Sequence, residues 1–322
     1  MNKNLVLLSY GGETEYKRAL FCIHSFFAWN FDSENIRIIV YTDSPSFFVE
    51  YIDNPAVEYI LLTPELSIEL QRNTDYIHLK KVGVIEMTFQ KYPNDDLCFI
   101  DTDTFFIQNP AHIFNNFDSR KSFLHKKEYQ LCDAVEQFSS FGQGHFPQSF
   151  MNFISCKKFI VGGEEVIFDG TYFSWNTGVL ALNKDFANLM DDVTDLTIQF
   201  HENSRWFVSE QLAFSLVLQK VTEIRSAENI VCHYWGKRQK VMMDIFLTKL
   251  FRDKSELAQY FINFTENSKK LLIRIENDLS LEQIKIAKVQ NNYFYAFKQI
   301  LKLFLRRPFQ KDIYKQIYQE IV

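Results

Sequence analysis

Two carboxylates, Asp101 and Asp103, stand two residues apart at the end of the apolar run Leu97-Cys98-Phe99-Ile100. Acidic groups this close repel each other unless a proton or a cation neutralises them. A hard divalent ion such as Mn²⁺ or Mg²⁺, bound through oxygen, would do so. Such an ion could also hold a diphosphate and stabilise the charge on it as it leaves. An ordinary strand-end turn with solvated acids is the other reading of the same residues.

Strands and helices must position such a pair. Residues 5–8 form a short apolar run ended by Ser9-Tyr10-Gly11-Gly12, a buried strand followed by a turn. Residues 16–29 carry Ala19, Leu20, Ile23, Phe26 and Phe27 at helical spacing. Residues 36–41 and 57–62 are two further strands, 78–92 a helix, and 97–100 the strand that delivers Asp101. Alternating strands and helices predict an α/β domain with a mainly parallel sheet flanked by helices. Ligands of such sheets bind beyond the carboxyl ends of the strands. Residues 119–163 are mixed, aromatic and weakly periodic, and are expected to form an insertion or long loop over the site. Residues 179–182 are expected as a strand after Trp175-Asn176-Thr177-Gly178, 186–200 and 209–219 as helices, and 230–232 as a short strand ending at His233. Beyond about Lys240 the pattern is helical, which divides the chain into a domain of residues 1–240 and a helical extension of 241–322.

Four motifs follow in one order: Asp101-Thr102-Asp103, Trp175-Asn176-Thr177-Gly178-Val179, Ser209-Glu210-Gln211 and His233-Tyr234-Trp235-Gly236-Lys237. This succession resembles the retaining family 8 glycosyltransferases, the glycogenin and lipopolysaccharide galactosyltransferase type, over roughly residues 4–240. The resemblance implies a GT-A nucleotide-diphospho-sugar transferase fold, a UDP-sugar donor and Mn²⁺ or Mg²⁺. It makes Asp101, Asp103 and His233 the metal ligands, with Asp101 also on the donor ribose and Thr102 among the donor-binding residues. A core histidine is the plain alternative for His233. Lys237 matches a lysine that neutralises the donor diphosphate, beside Gly236. The family continues with Pro-Trp, where this chain has Arg238-Gln239. Lys81 matches a basic residue directed at the donor; a solvated helix face is its alternative. Leu8, Ser9 and Tyr10 match the segment that holds the base, Tyr16 a tyrosine stacked on uracil, and Asp43 a hydrogen-bond acceptor for the base. Asn176 and Gly178 match the sugar side of the site. Glu210 and Gln211 match an Asp-Gln pair near the anomeric carbon, where a carboxylate could stabilise an oxocarbenium-like state or act as a nucleophile. Glu in place of Asp moves that carboxylate by one methylene, and Glu210 is equally a helix-start acid that complements the dipole.

Two other functions fit parts of this pattern. Asp101-Thr102-Asp103-Thr104 also matches the D-x-D-x-T of haloacid-dehalogenase-type phosphatases, in which the motif ends the first strand. Here three strands precede it, and only Asp191-Asp192 stands in for the later acidic element. A non-catalytic GT-A-like protein that binds nucleotide or glycan is the third reading. No G-x-G-x-x-G or P-loop motif is present, so a dinucleotide or P-loop site has no support.

The 322 residues are 47% hydrophobic and 23% charged, which speaks against disorder and coiled coil. Their odd feature is 33 Phe, 15 Tyr and 4 Trp. Five scattered cysteines without C-x-x-C pairing exclude a disulfide scaffold or zinc ribbon and suit a reducing cytoplasm. The N-terminal apolar run, about five residues, is shorter than the ~7–15 of a signal peptide or the ~20 of a membrane span. Net charge is −5. Residues 285–322 hold eight basic residues against two acidic ones, a local +6 that leaves −11 on the rest. So acidic a body is a poor nucleic-acid binder. In the tail, Phe294, Phe297, Leu301, Phe304 and Leu305 share one helical face beside Lys298 and Lys302, followed by Arg306-Arg307-Pro308 and a stripe of Ile313, Ile317 and Ile321. Two placements fit: an interfacial helix on the inner, anionic face of a membrane, or a helix packed on the body. The expected partners are thus the nucleotide-sugar donor, a glycan, lipid-linked or protein acceptor, and a membrane surface at the tail.

Overall fold

The computed structural model describes residues 2–29, 34–139, 141–306, 315, 317 and 318. The chain divides into two compact units, Met1–His233 and Tyr234–Val322. The first is built on the strands β1 (Lys3–Ser9), β2 (Ile36–Thr42), β3 (Val57–Leu61), β4 (Asp96–Ile100), β5 (Thr104–Phe106), β6 (Lys121–Gln130), β7 (Phe159–Val161), β8 (Glu164–Val166), β9 (Phe173–Leu182), β10 (Glu223–Ser226) and β11 (Val231–His233). Seven of them form one sheet in the order β10-β6-β9-β4-β1-β2-β3. Neighbours are parallel except at β9, which runs against both β4 and β6. The fold is therefore the mainly parallel α/β architecture that the alternation of apolar runs predicts.

This order has a consequence for ligands. From β1 the chain moves outward to β2 and β3, then returns to place β4 on the other side of β1. The reversal leaves a crevice at the carboxyl ends of β1 and β4, the usual ligand position in an open α/β sheet. Ser9 ends β1, and Asp101 follows β4.

Helices α1 (Glu13–Phe27), α2 (Pro45–Val49), α3 (Pro64–Leu70), α4 (Leu79–Lys91), α5 (Ala111–Phe114), α6 (Ala134–Ser139), α7 (His145–Ser155), α8 (Met190–Ser204) and α9 (Ser209–Val221) belong to the same unit. Glu13 and Glu15 in the first turn of α1 complement its dipole. Gly11 and Gly12, at φ 93° and 135°, supply the turn into that helix, a conformation that side-chain-bearing residues rarely adopt. The aromatic richness of the chain is largely core. Phe26 packs edge-on to Phe106 and Phe114, and Phe150 edge-on to Phe200 and Trp206.

The structure corrects two expectations. Residues 121–130, expected within a loop or insertion, are a strand of the main sheet between β10 and β9, and α7 adds Phe150 and Ile154 to the core. The run Lys126-Lys127-Glu128 hides the strand, because a bulged strand beside a polar site does not alternate. The segment Trp175-Asn176-Thr177-Gly178 lies inside β9, not ahead of it.

The second unit consists of α10 (Lys237–Leu250), α11 (Lys254–Ile262), α12 (Phe264–Val289) and α13 (Tyr293–Arg306). Arg238 and Gln239, which depart from the family pattern, join α10 to α12: Arg238 Nε reaches Asp278 Oδ1 at 3.2 Å, and Gln239 Nε2 donates to the Ile275 carbonyl. Leu281, Ile284 and Leu303 form a small core. Ile317, on the apolar stripe of the tail, is buried in it, as the packed placement of that stripe expects. Arg307, Pro308, Ile313 and Ile321 lie outside the described residues. Among the described residues, no helix is long and apolar enough to cross a membrane.

Gly83, on α4, lets that helix approach α3. A Cβ there would sit 2.8 Å from Leu70 Cδ2 and 2.9 Å from the Leu70 carbonyl oxygen. Alanine gains about 1 kcal/mol of helix propensity, but overpacking against backbone costs ~1–3 kcal/mol. Gly83→Ala should therefore lower the urea midpoint; a raised midpoint contradicts this packing.

Candidate active site

Asp101, Asp103 and His233 converge. Each offers one ligand atom, and these atoms lie within 4.8 Å of one another. His233 Nε2 is 3.2 Å from Asp103 Oδ1 and 3.9 Å from Asp101 Oδ2. A small sheet brings them together. β5 leaves Asp103 directly and pairs antiparallel with β11, which sets His233 opposite Thr104. β5 is itself anchored on α1, where Ser25 Oγ accepts from the Phe106 N–H and Phe21 packs on Phe105. Thr104 Oγ1 donates to the Asp101 carbonyl and closes the turn.

The His233 tautomer follows from one backbone group. The Gly178 N–H donates to Asn176 Oδ1 at 2.9 Å, so that atom is the amide oxygen. The same oxygen faces His233 Nδ1 at 2.9 Å, which must carry the hydrogen. Nε2 then faces the two carboxylates. Outer hydrogen bonds of this kind orient metal-ligating imidazoles. The His125 ring packs edge-on to His233 at 5.2 Å. Burial, and then the His233 charge, depress the His125 pKa to about 3, so it remains a neutral neighbour. Two carboxylate oxygens and an imidazole nitrogen are a donor set that could take a divalent ion such as Mn²⁺.

Lys81 is not on a solvated face. It is buried, and its Nζ lies 3.3 Å from Asp101 Oδ1, 3.0 Å from Glu210 Oε1 and 2.6 Å from the Thr177 carbonyl. Burial works against its charge, but Asp101 and Glu210 outweigh that and raise its pKa above the ordinary lysine value. Glu210 is buried too. Its Oε1 also accepts from Thr177 Oγ1 at 2.8 Å, and its backbone N–H donates to Tyr76 Oη. Asp101, Asp103 and Glu210 gather three formal negative charges around Lys81, which balances one of them. Buried charge without such compensation is costly.

Asn176, Gly178 and Gln211 border the same group. Gln211 Nε2 donates to Ser174 Oγ at 2.8 Å and to Glu128 Oε2 at 2.9 Å, while Asn176 Nδ2 donates to Glu128 Oε1 at 3.2 Å. Glu128 is thus a site residue that sequence reasoning missed; its only signal is an acid inside a poorly periodic segment. Its pKa is raised by the protein packed around the carboxyl group, against the pull of the two amide donors.

The expected base-binding residues lie at the end of β1. Leu8 and Tyr10 are half-buried, Ser9 is buried, and Lys80 sits over the Tyr10 ring at 4.6 Å. Tyr16 Oη donates to Asp43 Oδ1 at 2.7 Å, and the Gly11 N–H donates to Asp43 Oδ2 at 3.0 Å. The Tyr16 ring packs against Phe47 and Phe48, and burial and then Asp43 push its pKa up to about 12. Thr102 Oγ1 donates to Glu15 Oε2. Gly236 and Lys237 belong to the second unit, at the N-terminal turn of α10.

No protein-family model matches the chain, and no curated protein matches it in sequence. Solved structures to which it is similar are glycosyltransferases. One is WbbM, a bifunctional glycosyltransferase, at TM-score 0.44 and 10% identity, covering 77% of this chain and 44% of that one. Another is the galactosyltransferase LgtC in complex with donor and acceptor sugar analogues, at TM-score 0.44 and 12% identity, covering 77% and 94%. A third is mouse xyloside xylosyltransferase 1, at TM-score 0.41 and 12% identity, covering 70% and 86%. The chain spans less than half the length of WbbM.

Gly178 gives a direct test of the histidine's placement. A Cβ there would lie 2.3 Å from His233 Nδ1 and 2.5 Å from Cε1, so the ring must move. Gly178→Ala should weaken Mn²⁺ binding about tenfold or more while the circular dichroism spectrum is kept. Unchanged Mn²⁺ affinity by calorimetry would remove His233 from the ligand set.

Proposed function

We propose that this chain is a metal-dependent glycosyltransferase that moves a sugar from a UDP-type nucleotide sugar to a glycan, lipid-linked or protein acceptor. One observation carries the reading: the Asp101-Thr102-Asp103 pair and His233, far apart in sequence, meet at the crevice where an α/β sheet binds ligands, close enough together to hold one divalent cation. The four motifs and their order supply the nucleotide-sugar part of the reading, in a GT-A domain with a helical extension.

In this reading Asp101, Asp103 and His233 would hold Mn²⁺ or Mg²⁺, which when bound neutralises the diphosphate. Leu8, Ser9, Tyr10, Tyr16 and Asp43 border the base, Asp101 the ribose, and Thr102 belongs to the donor-binding residues. Lys81 adds positive charge beside Asp101, in reach of a leaving diphosphate. Its second role is to hold Glu210 in place: the Lys81–Glu210 pair and the Thr177 hydroxyl set where that carboxylate stands relative to Gln211 and Asn176. Glu210 and Gln211 would then flank the anomeric carbon, and a retaining outcome follows if either serves as a transient nucleophile. The phosphatase reading loses ground, because Asp101 follows the fourth strand of the sheet and Asp103 faces an imidazole.

The tail carries a separate part of the proposal. Phe294, Phe297, Leu301 and Leu305 on α13 are exposed, beside exposed Lys298. An aromatic, basic face of this kind suits the inner, anionic surface of a membrane.

Isothermal titration should show UDP binding that requires Mn²⁺ and is lost in Asp103→Ala; turnover of no UDP-sugar with any divalent metal would overturn the reading. Vesicles containing phosphatidylglycerol should carry the full chain up a flotation gradient at low salt, and Phe297→Glu with Leu301→Glu should release it. Absence of the wild type from the floating fraction rules out the membrane contact.

A further inference from the structure

Helix α9 carries Glu210 and Gln211 in its first turn, yet it has no cap of its own. The residue before it, Val208, offers no side-chain acceptor. The first N–H groups of a helix need partners from outside the helical ladder, and Ser, Thr, Asp or Asn at that position is the usual source. Here the acceptor comes from 134 residues away in the chain. Tyr76 Oη accepts from the Glu210 N–H at 3.1 Å and donates to the Phe207 carbonyl at 2.8 Å. One hydroxyl thus spans the turn that starts α9. Burial, and then the Glu210 charge, raise the Tyr76 pKa, so the proton of the second bond stays in place.

The ring behind that hydroxyl has little freedom. Tyr76 is 4% exposed, and His201 on α8 stacks on it at 4.2 Å and 22°. Asp75 faces His201 Nε2 at 3.5 Å and pairs with Arg205, but its carboxylate is solvated and such pairs add little. Packing of the ring is therefore what fixes the hydroxyl. The Tyr76 carbonyl accepts from the Leu79 N–H at the start of α4, the helix that carries Lys81. Tyr76 so ties the start of α9 to the start of α4. Lys81 and the Thr177 hydroxyl hold the Glu210 carboxylate at 3.0 and 2.8 Å, and Tyr76 holds the backbone end of the same residue. Among the described residues, Tyr76 makes no hydrogen bond to Asp101, Asp103 or His233.

Resting on the glycosyltransferase reading above, in which Glu210 flanks the anomeric carbon, we infer that Tyr76 is a positioning residue for Glu210. Its hydroxyl replaces the missing cap of α9, fixes the backbone from which the carboxylate projects, and so sets where that carboxylate stands against the reacting carbon. A misplacement of about 1 Å can cost on the order of a hundredfold in rate. Binding through the metal group does not pass through this hydroxyl.

Tyr76→Phe removes the hydroxyl and keeps the ring. UDP release from a panel of UDP-sugars, with Mn²⁺ and with water as the acceptor, compares the wild type, Tyr76→Phe and Glu210→Gln well below the melting temperature of each. Calorimetry gives the affinity of each protein for UDP with Mn²⁺. The expected result for Tyr76→Phe is a kcat lower by about tenfold or more, with KM and UDP affinity within about twofold of the wild type. Glu210→Gln should lose at least as much kcat. Unchanged kcat in Tyr76→Phe overturns the inference, even where its melting temperature drops, since the hydroxyl is then only structural. A matching loss of UDP affinity overturns it as well, because the hydroxyl then supports the whole site. Full kcat in Glu210→Gln sinks the inference and leaves the transferase reading standing. A wild type that releases UDP from no UDP-sugar brings down both.

Discussion

Carboxylates cannot be gathered in a protein interior without positive charge beside them, and the candidate site is organised around that constraint. Asp103 and Glu210 are buried, Asp101 is partly so, and Lys81 stands between Asp101 and Glu210. The lysine is charged because the acids are there, and the acids are tolerated in part because it is. Beside that pair, Asp101, Asp103 and His233 form a group that could hold a divalent cation.

The backbone delivers these groups by two devices. The sheet places the carboxyl ends of β1 and β4 next to each other, and the antiparallel β9 passes beside β4, so that Thr177 and Gly178 meet Lys81 and Asp101 through backbone atoms. The short β5–β11 sheet then brings in His233. Departures from regular pairing between β6 and β9 fall at the site: the shifts near His125 and Glu128 turn strand residues toward His233, Asn176 and Gln211. Regularity elsewhere in the sheet, with its apolar two-sided burial, is what lets these irregularities persist.

Much of the first half of the fold was legible in the chain itself. Buried parallel strands such as Lys3–Ser9 and Ile36–Thr42 are near-continuous apolar runs, which stand out without tertiary context. Lys121–Gln130 did not stand out, since its middle faces a polar site and a bulge breaks its period. The same cause hid the start of β9. In the tail, the spacing of Phe294, Phe297 and Leu301 is readable as a face, but the spacing of Ile317 leaves open whether it faces the body, because its partners, Leu281 and Ile284, are more than thirty residues away.

The sequence by itself determined the chemical alphabet of the site, Asp101, Asp103, Glu210, Gln211 and His233, and the strand-ending position of the first two, because residue type and apolar periodicity are local properties. Tertiary structure alone decided that His233 turns Nε2 toward both aspartates, that Lys81 is buried between Asp101 and Glu210, and that Glu128 joins Asn176 and Gln211. Those facts depend on strand register and on polar groups brought together from separate stretches of the chain, and no local pattern encodes them.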